Sequence, residues 1–507
     1  LRAKRGNLID VVMKFDVKDS LTEQELRSGL KAVIRDGLAS QAMATLSSGV
    51  FLVAFALQLG ASNFVIGLLA AIPALTQLIQ IPATYLVERY QRRRFISVHA
   101  TLVGRVFLLI IALIPFVFSG KTAIFALVAA LGLHTSIGAI SLCAWNSWMR
   151  DLIPQKELGT FFSGRMRLQV VLGIVLNLAV AAYMYYWVRV VPKHEIYAYS
   201  ILFALAYVAG MFGTYFISTI PEPRMRVRAA NASFLKLLLQ PFRDSNFRKL
   251  IGFLGSWNFA ANLAAPFFIV YMLKRLNLDM SSVIGLTVLS QIMNMAFLRL
   301  WGRFSDRFSN KSVLGICAPL FVISILAWTF TTMPEKHILT IPLLIVIHIL
   351  MGIAIAGVTL GTGNLALKLA PHGEATSYLA TSSMVSSLAA GIAPILGGKF
   401  ADFFARRELA WALSWKSPEG EFSFQTLNFQ SWDFFFFLAF VIGIYAIHRL
   451  VLVKEEGEVK ESIIIHELIS VAMRPLRNFS SVGGLRHILH YHLPISRHNK
   501  GPNTPVT

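Results

Sequence analysis

The sequence predicts an all-α polytopic membrane protein with twelve transmembrane helices in two pseudo-symmetric six-helix bundles. Three observations carry that prediction: an apolar composition, twelve long apolar runs, and an internal repeat of half the chain. Of 507 residues, 55% are hydrophobic and 14% are charged, with mean hydropathy +0.61. An ordinary soluble domain carries roughly 25% charged residues, so the solvent for this chain is a bilayer.

A helix needs about 20 apolar residues to cross a hydrocarbon core of roughly 30 Å. Runs of that kind lie at 38–59, 62–86, 95–118, 121–147, 164–188, 197–220, 248–273, 281–301, 312–332, 339–365, 374–400 and 433–453. Helices are expected because the backbone must satisfy its own hydrogen bonds in lipid, and the runs lack the period of two of barrel strands. Residues 1–37 are polar and amphipathic, unlike a cleavable leader. Within them, Ser20-Leu-Thr-Glu23 reads as a capping box ahead of Leu26, Leu30 and Ile34 on one face, which predicts a short interfacial helix before the first span.

The net charge of +21 is explained by position. Seven alternate connecting segments, both termini included, hold 36 of the 47 Lys and Arg residues; the other connections hold ten, and Arg105 remains inside an apolar run. That bias predicts that both termini and the long connection at 221–249 are cytoplasmic. No polar domain clusters the basic residues, which excludes a nucleic-acid binder. Cys143 and Cys317 lie in apolar runs and offer neither a disulfide framework nor metal spacing. No cofactor or metal is expected. The His487, His490 and His492 cluster in the tail reads as part of a basic surface segment on anionic lipid, with a metal site as the alternative.

Sliding the chain on itself by 218 residues lays Val65–Ile96 over Val283–Leu314 without a gap, with Glu88-Arg89 on Asp306-Arg307. A slide of 217 lays Leu152–Phe162 over Leu369–Leu379, with Pro154 on Pro371. Repeats of equal orientation imply two halves related by an axis along the membrane normal. The organisation read from this is an amphipathic segment at 1–37, bundles at 38–220 and 248–453, a linker at 221–247 and a basic tail at 454–507. The aromatic-rich segment 401–432 reads only as an external cap.

These features resemble the major facilitator superfamily of secondary transporters. Its signature after span 2, roughly G-x-x-x-D-R-x-x-R-[RK], is matched at Gly302, Asp306, Arg307 and Lys311, with Asn310 in place of Arg. The first copy has Thr84, Glu88, Arg89, Arg92 and Arg93, with Thr for Gly and Glu for Asp. A glycine near a helix end permits close approach, a carboxylate is favoured at a helix N-terminus, and Arg bridges acceptors bidentately. By the resemblance, the two copies form a latch: Asp306 faces Ser163, Arg165 and Arg167, and Glu88 faces Thr376 and Ser377. The alternative is that the charges are topological anchors.

The resemblance also implies that spans 1, 4, 7 and 10 line a central cavity. Candidates there are Gln41 and Thr45, with Ser48 on the same face; His134 and Asn146, beside Trp145; Asn258 and Asn262; and His348, Thr359 and Asn364. Each amide has the alternative role of packing glue between helices. Arg105, near the bilayer centre, is a functional candidate because an unpaired guanidinium there is costly. It reads either as an anchor for an anionic or strongly polar substrate or as a tie to helix carbonyls, and no mid-membrane Asp or Glu stands out as its counter-ion. If protons are the coupling ion, His134, His348 and Asp36 are the titratable candidates.

Together these readings predict a monomeric permease, not an enzyme, that moves a small polar or anionic solute across the bilayer by alternating access. The alternatives are a multidrug or amphiphile efflux permease and a non-transporting receptor or assembly factor on the same fold. No Walker loop or HExxH pair supports a primary pump or metalloenzyme.

Overall fold

The computed structural model describes residues 17–154, 158–225, 239–332, 336–371, 375–418, 420–430 and 432–458. Twelve helices among them are long and apolar enough to cross a membrane: Glu23–Gln58, Asn63–Tyr90, Arg93–Val117, Gly120–Leu152, Phe161–Val190, Pro192–Thr219, Ser245–Arg275, Met280–Arg307, Asn310–Thr331, Thr340–Leu369, Ser377–Phe404 and Trp432–Val451. They are spans 1 to 12 below. An even number of crossings brings both ends of the described chain to one side, the tail side; the opposite side is the far side.

Span 1 differs from expectation. Among the described residues the expected interfacial helix is continuous with the span: one helix runs Glu23–Ser47, kinks at Ser48-Gly49, where Gly49 has φ 59°, and resumes over Val50–Gln58. Its N-cap is Thr22, two residues beyond the expected Ser20, with Glu25 closing the capping box. The capping residue is chosen by where the helix can satisfy its free N–H groups. Asp36 consequently lies inside the span, and it is buried.

Each half is clasped at the tail side by a carboxylate that follows its sixth span. In the first half Glu222 accepts from the backbone N–H groups of Arg93 (2.6 Å) and Arg94 (3.1 Å), capping span 3. The fully buried Arg93 guanidinium pairs with Asp151 at the end of span 4 and with Glu222, and donates to the Pro223 and Ser147 carbonyls. Strand β1 (Val17–Lys18) lies parallel to β2 (Glu222–Pro223) over this joint.

In the second half Glu455 accepts from the Lys311 N–H (2.7 Å), the Asn310 amide (3.0 Å) and the Lys368 ammonium (2.9 Å). Burial pushes the Glu455 carboxyl up, but those three donors outweigh it and hold it below the ordinary glutamate value. The 218-residue slide equates Arg93 with Lys311, and the 217-residue slide equates Asp151 with Lys368. The two joints therefore share their architecture with the charge on span 4 and span 10 reversed. A buried joint needs balanced charge and satisfied donors, and either arrangement supplies both.

The halves meet at the far side through backbone. A Cβ on Gly67 of span 2 would sit on the carbonyl oxygen of Pro394 in span 11, and one on Gly398 would meet the backbone of Asn63 and Phe64. Asp402 accepts from the Asn63 (3.2 Å) and Phe64 (2.9 Å) N–H groups, capping span 2 from across the interface. The halves also meet where Ser281 of span 8 donates to the Ala181 carbonyl of span 5 at 3.0 Å. Nearer the tail side, spans 2 and 11 stand apart around a cavity of about 180 Å³ lined by Gln77, Gln80, Thr84, Ser383 and Ser387.

One element of the far side is not helical. Segment 401–432, read from sequence only as a cap, contains an antiparallel hairpin of β3 (Glu408–Ser417) and β4 (Gly420–Gln430) between spans 11 and 12.

Gly67→Ala should destabilise the protein by ~1–3 kcal/mol, because its Cβ has no room beside backbone. Gly302→Ala should cost almost nothing or stabilise slightly, since its nearest neighbour would be Leu360 Cδ1 at 3.8 Å. Thermal unfolding of the two purified variants checks this, and equal shifts would contradict the close-contact account.

Candidate functional site

Two cavities bring polar residues of several spans together in the membrane interior. The first lies between the halves, with a volume of about 470 Å³. Span 1 contributes Gln41, Thr45 and Ser48 at its kink, span 5 contributes Gly173 and Asn177, and span 8 contributes Thr287, Ser290, Gln291 and Asn294. Gln41 donates to Thr45 at 3.1 Å, and a Cβ on Gly173 would stand 3.1 Å from that amide, so the glycine leaves room for it. The polar part of the lining is amides and hydroxyls, set among apolar Val50, Phe51, Val170, Ile269 and Ile355, with no charged side chain among the lining residues. Such a wall can orient a solute through paired donors and acceptors.

The second cavity, about 330 Å³, lies within the first half among spans 1, 3, 4, 5 and 6, and is lined by Asp36, Ser40, Arg105, His134, Trp145 and Arg165 among others. Arg105 is buried and bonds to the Gly210 carbonyl, to Thr214 Oγ1 (2.7 Å) and to Ser40 Oγ (3.2 Å). Ser40 in turn donates to Asp36 Oδ1 at 3.2 Å, one helical turn away on the same face. On the other side of Asp36, Arg165 of span 5 approaches Oδ2 at 3.7 Å, donates to the Val33 carbonyl at 3.2 Å and lies over the Trp145 ring at 5.1 Å. His134 is bonded through Nδ1 to the Gly104 carbonyl at 2.8 Å.

Glycines make this packing possible. A Cβ on Gly213 would stand 2.9 Å from Arg105 Nη1 and 3.3 Å from Asp36 Oδ1, and one on Gly210 would stand 3.0 Å from Arg105 Cδ. Span 6 therefore presents a notch into which the guanidinium sits. The sequence reading that Arg105 has no internal counter-ion is overturned: Asp36 is that counter-ion, relayed through Ser40 and shared with Arg165. Of the two readings of Arg105, the tie to a helix carbonyl is present in the Gly210 bond, and the wall of a cavity is present as well.

The other sequence candidates divide by surroundings. Gln41 and Thr45 reach the inter-half cavity, and His134 the charged one. Asn258 and Asn262 bond back to the Leu254 and Asn258 carbonyls of their own helix, each at 2.8 Å. His348 bonds to the Leu344 carbonyl and stacks edge-on against buried Trp328, so it is a core residue of the second half. Asn146 and Asn364 are exposed and line neither cavity.

Sequence reasoning missed Asn177, Thr287, Ser290, Gln291 and Asn294 because it confined the cavity to spans 1, 4, 7 and 10. The signal was present: Thr287, Gln291 and Asn294 recur at helical spacing on one face of an apolar helix.

The signature residues stand as follows. Glu88 and Asp306 are exposed at the tail ends of spans 2 and 8, and among the described residues neither carboxylate makes an ion pair. Arg165, expected opposite Asp306, is committed to Asp36 instead. Arg89 and Arg92 are exposed, and Thr84 donates to the Gln80 carbonyl. Arg93 and Lys311 belong to the clasps inside their own halves. Gly302 has room for a Cβ, so close approach does not require glycine in this conformation. The Thr376 side chain lies outside the described residues.

Comparison with known proteins agrees with this architecture. The sequence pattern of the Major Facilitator Superfamily matches residues 37–299 and 258–491. No curated protein sequence matches the chain. Among solved structures, the nucleoside transporter NupG is similar with TM-score 0.60 and 12% identity, over 85% of this chain and 100% of that one. The inward-open xylose transporter XylE from E. coli gives TM-score 0.60 and 13% identity, over 87% and 99%. A bacterial homologue of the lysosomal transporter Spinster, inward-facing and unoccupied, gives TM-score 0.56 and 14% identity, over 76% and 84%. At these identities the likeness is one of fold. With the family pattern spanning both halves over the twelve spans described above, the chain belongs to the Major Facilitator Superfamily of membrane transporters.

Proposed function

We propose that the protein carries a small polar or anionic solute across the membrane by alternating access, with the solute held between the two halves. The observation that supports this reading is the inter-half cavity, whose amides and hydroxyls come from both halves. A solute bridging Gln41 and Thr45 on one side and Gln291 and Asn294 on the other gains contacts only when the halves close on it. Differential contact of that kind is what drives a conformational change. The backbone contacts at Gly67 and Gly398 close the far side, and the tail side, on which the basic residues concentrate, is the cytoplasmic one. In the opposite conformation Glu88 and Asp306 would engage the starts of spans 11 and 5 as the tail-side latch.

The charged cavity is the coupling element in this proposal. Asp36 carries one negative charge between two guanidinium groups, leaving a net positive charge with all three ionised. A carboxylate or phosphate group on the solute would complete the balance. A proton on Asp36 would disturb it by releasing both arginines, which makes Asp36 the stronger proton carrier than His348, a core residue outside the cavity.

Two sets of variants test these assignments. Gln291→Ala and Asn294→Ala should each weaken uptake into proteoliposomes by about 5- to 100-fold, the equivalent of ~1–3 kcal/mol for an unmatched buried polar group. Unchanged uptake in both would remove the solute from this cavity. Asp36→Asn leaves two uncompensated guanidinium groups and should destabilise by ~3–5 kcal/mol. Arg105→Ala, which leaves the Asp36–Arg165 pair, should cost less stability yet abolish uptake, and adding it to Asp36→Asn should recover part of the lost stability, because Arg165 alone is then unpaired. An Asp36→Asn protein no less stable than Arg105→Ala would contradict the charge balance.

A further inference from the structure

The hairpin between spans 11 and 12 has two unlike faces. The cross-strand register pairs Leu409 with Phe429, Trp411 with Leu427, Leu413 with Phe424 and Trp415 with Phe422. Residues opposite one another in an antiparallel pair share a face, and successive residues alternate. These eight positions, all Leu, Trp or Phe, therefore form one face. The other face carries Glu408, Ala410, Ala412, Ser414 and Lys416 paired with Gln430, Asn428, Gln425, Ser423 and Glu421.

The segregation depends on a bulge. The apolar positions of β4 change parity between 424 and 427, and simple alternation would place Phe422 and Phe424 opposite Leu427 and Phe429. The register shift between Trp411 and Ala412 leaves Thr426 unpaired and returns all four to one face. A bulge that restores a single apolar face implies something apolar to meet it.

The occupant follows from where the face begins. Phe429 packs against Phe434 and Phe437 of span 12, with ring centroids 5.9 and 6.0 Å apart. Phe437 is 46% exposed on a membrane-spanning helix and continues into exposed Val441, Ile444 and Tyr445, a lipid-facing stripe. On the same face, Leu409 near the base of the hairpin is 55% and Trp415 near its tip 73% exposed, so none of the described residues covers them. A two-stranded hairpin is marginal alone in water, and Trp is a preferred residue at the membrane interface. Arg406 and Arg407 at its base and Lys416 on the opposite face are suited to lipid headgroups.

We propose that the hairpin is a membrane-interface element: it reclines on the far leaflet with the Leu409–Trp411–Leu413–Trp415 face among the acyl chains and the Lys416 face towards headgroups and water. Ten-residue strands reach about 30 Å, so the hairpin extends the lipid-facing surface sideways from span 12 and ties its position to the bilayer.

Nitroxide scanning of the full chain in lipid nanodiscs tests this, in a Cys143→Ser/Cys317→Ala background whose elution and thermal unfolding match the parent. Labels at 409, 413, 415, 422 and 424 should collide with oxygen more than with a water-soluble nickel chelate, and labels at 408, 414, 416, 421 and 423 should show the reverse. The pattern should change parity between 424 and 427. Nickel access on both faces would place the hairpin in water and overturn the proposal. Shielding of the apolar face from both probes would assign it to a second copy or another protein and overturn it equally. As a label-free measurement, Trp411→Phe/Trp415→Phe should remove the part of the fluorescence that brominated acyl chains quench; no change in quenching would also contradict it.

Discussion

The organisation of this protein depends on how closely its two halves approach at one end of the membrane. At the far side they touch through backbone, with Gly67 against Pro394 and Gly398 against Asn63, and Asp402 caps span 2 from the opposite half. Side chains cannot be interposed there, so the far side is closed at spans 2 and 11. Where the same spans diverge towards the tail side they leave a cavity in which Gln77 and Gln80 of one half face Ser383 and Ser387 of the other. The proposed transport cycle is the exchange of this asymmetry from one side to the other.

Rigid halves are a condition for such an exchange, and each half has its own means of rigidity. The tail-side clasps tie the third span to the fourth through Arg93 and Asp151 in the first half, and the ninth span to the tenth through Glu455, which accepts from Lys311 and Lys368, in the second. Within the first half, Asp36, Ser40, Arg105 and Arg165 join spans 1, 3, 5 and 6 by charge and hydrogen bonds. The second half has no such cluster among its described residues at this depth; its core is the aromatic stack of Phe268, Tyr271, Trp328 and Phe436. One half thus combines stability with a charge-sensitive site, and the other is built as a packed body.

Much of this was legible in the residues. Spans of twenty apolar residues announce themselves, and the gap-free repeat exposes the two halves. What escaped were features set by three-dimensional adjacency. Asp36 read as an end-of-span charge because the helix start was placed too late, although Ser40 four residues on marks its relay. The Gly210 and Gly213 notch is invisible without knowing that span 6 faces span 3. The hairpin escaped although Leu409, Trp411, Leu413 and Trp415 alternate along β3, because in β4 the apolar parity switches between Phe424 and Leu427 and breaks the matching period of two. Asn177, Gln291 and Asn294 were passed over because the resemblance directed attention to other helices.

The central claim is that the two halves exchange one closed side for the other about a fixed solute site. Pulsed electron spin resonance distances in proteoliposomes test it most directly, with one label pair across the far side at Ser62 and Arg406 and another across the tail side at Tyr90 and Arg303. The account predicts two populations whose distances change in opposite senses: the far-side pair lengthens in the same molecules in which the tail-side pair shortens. Fixed distances on both sides, whatever the pH or solute supplied, would contradict it.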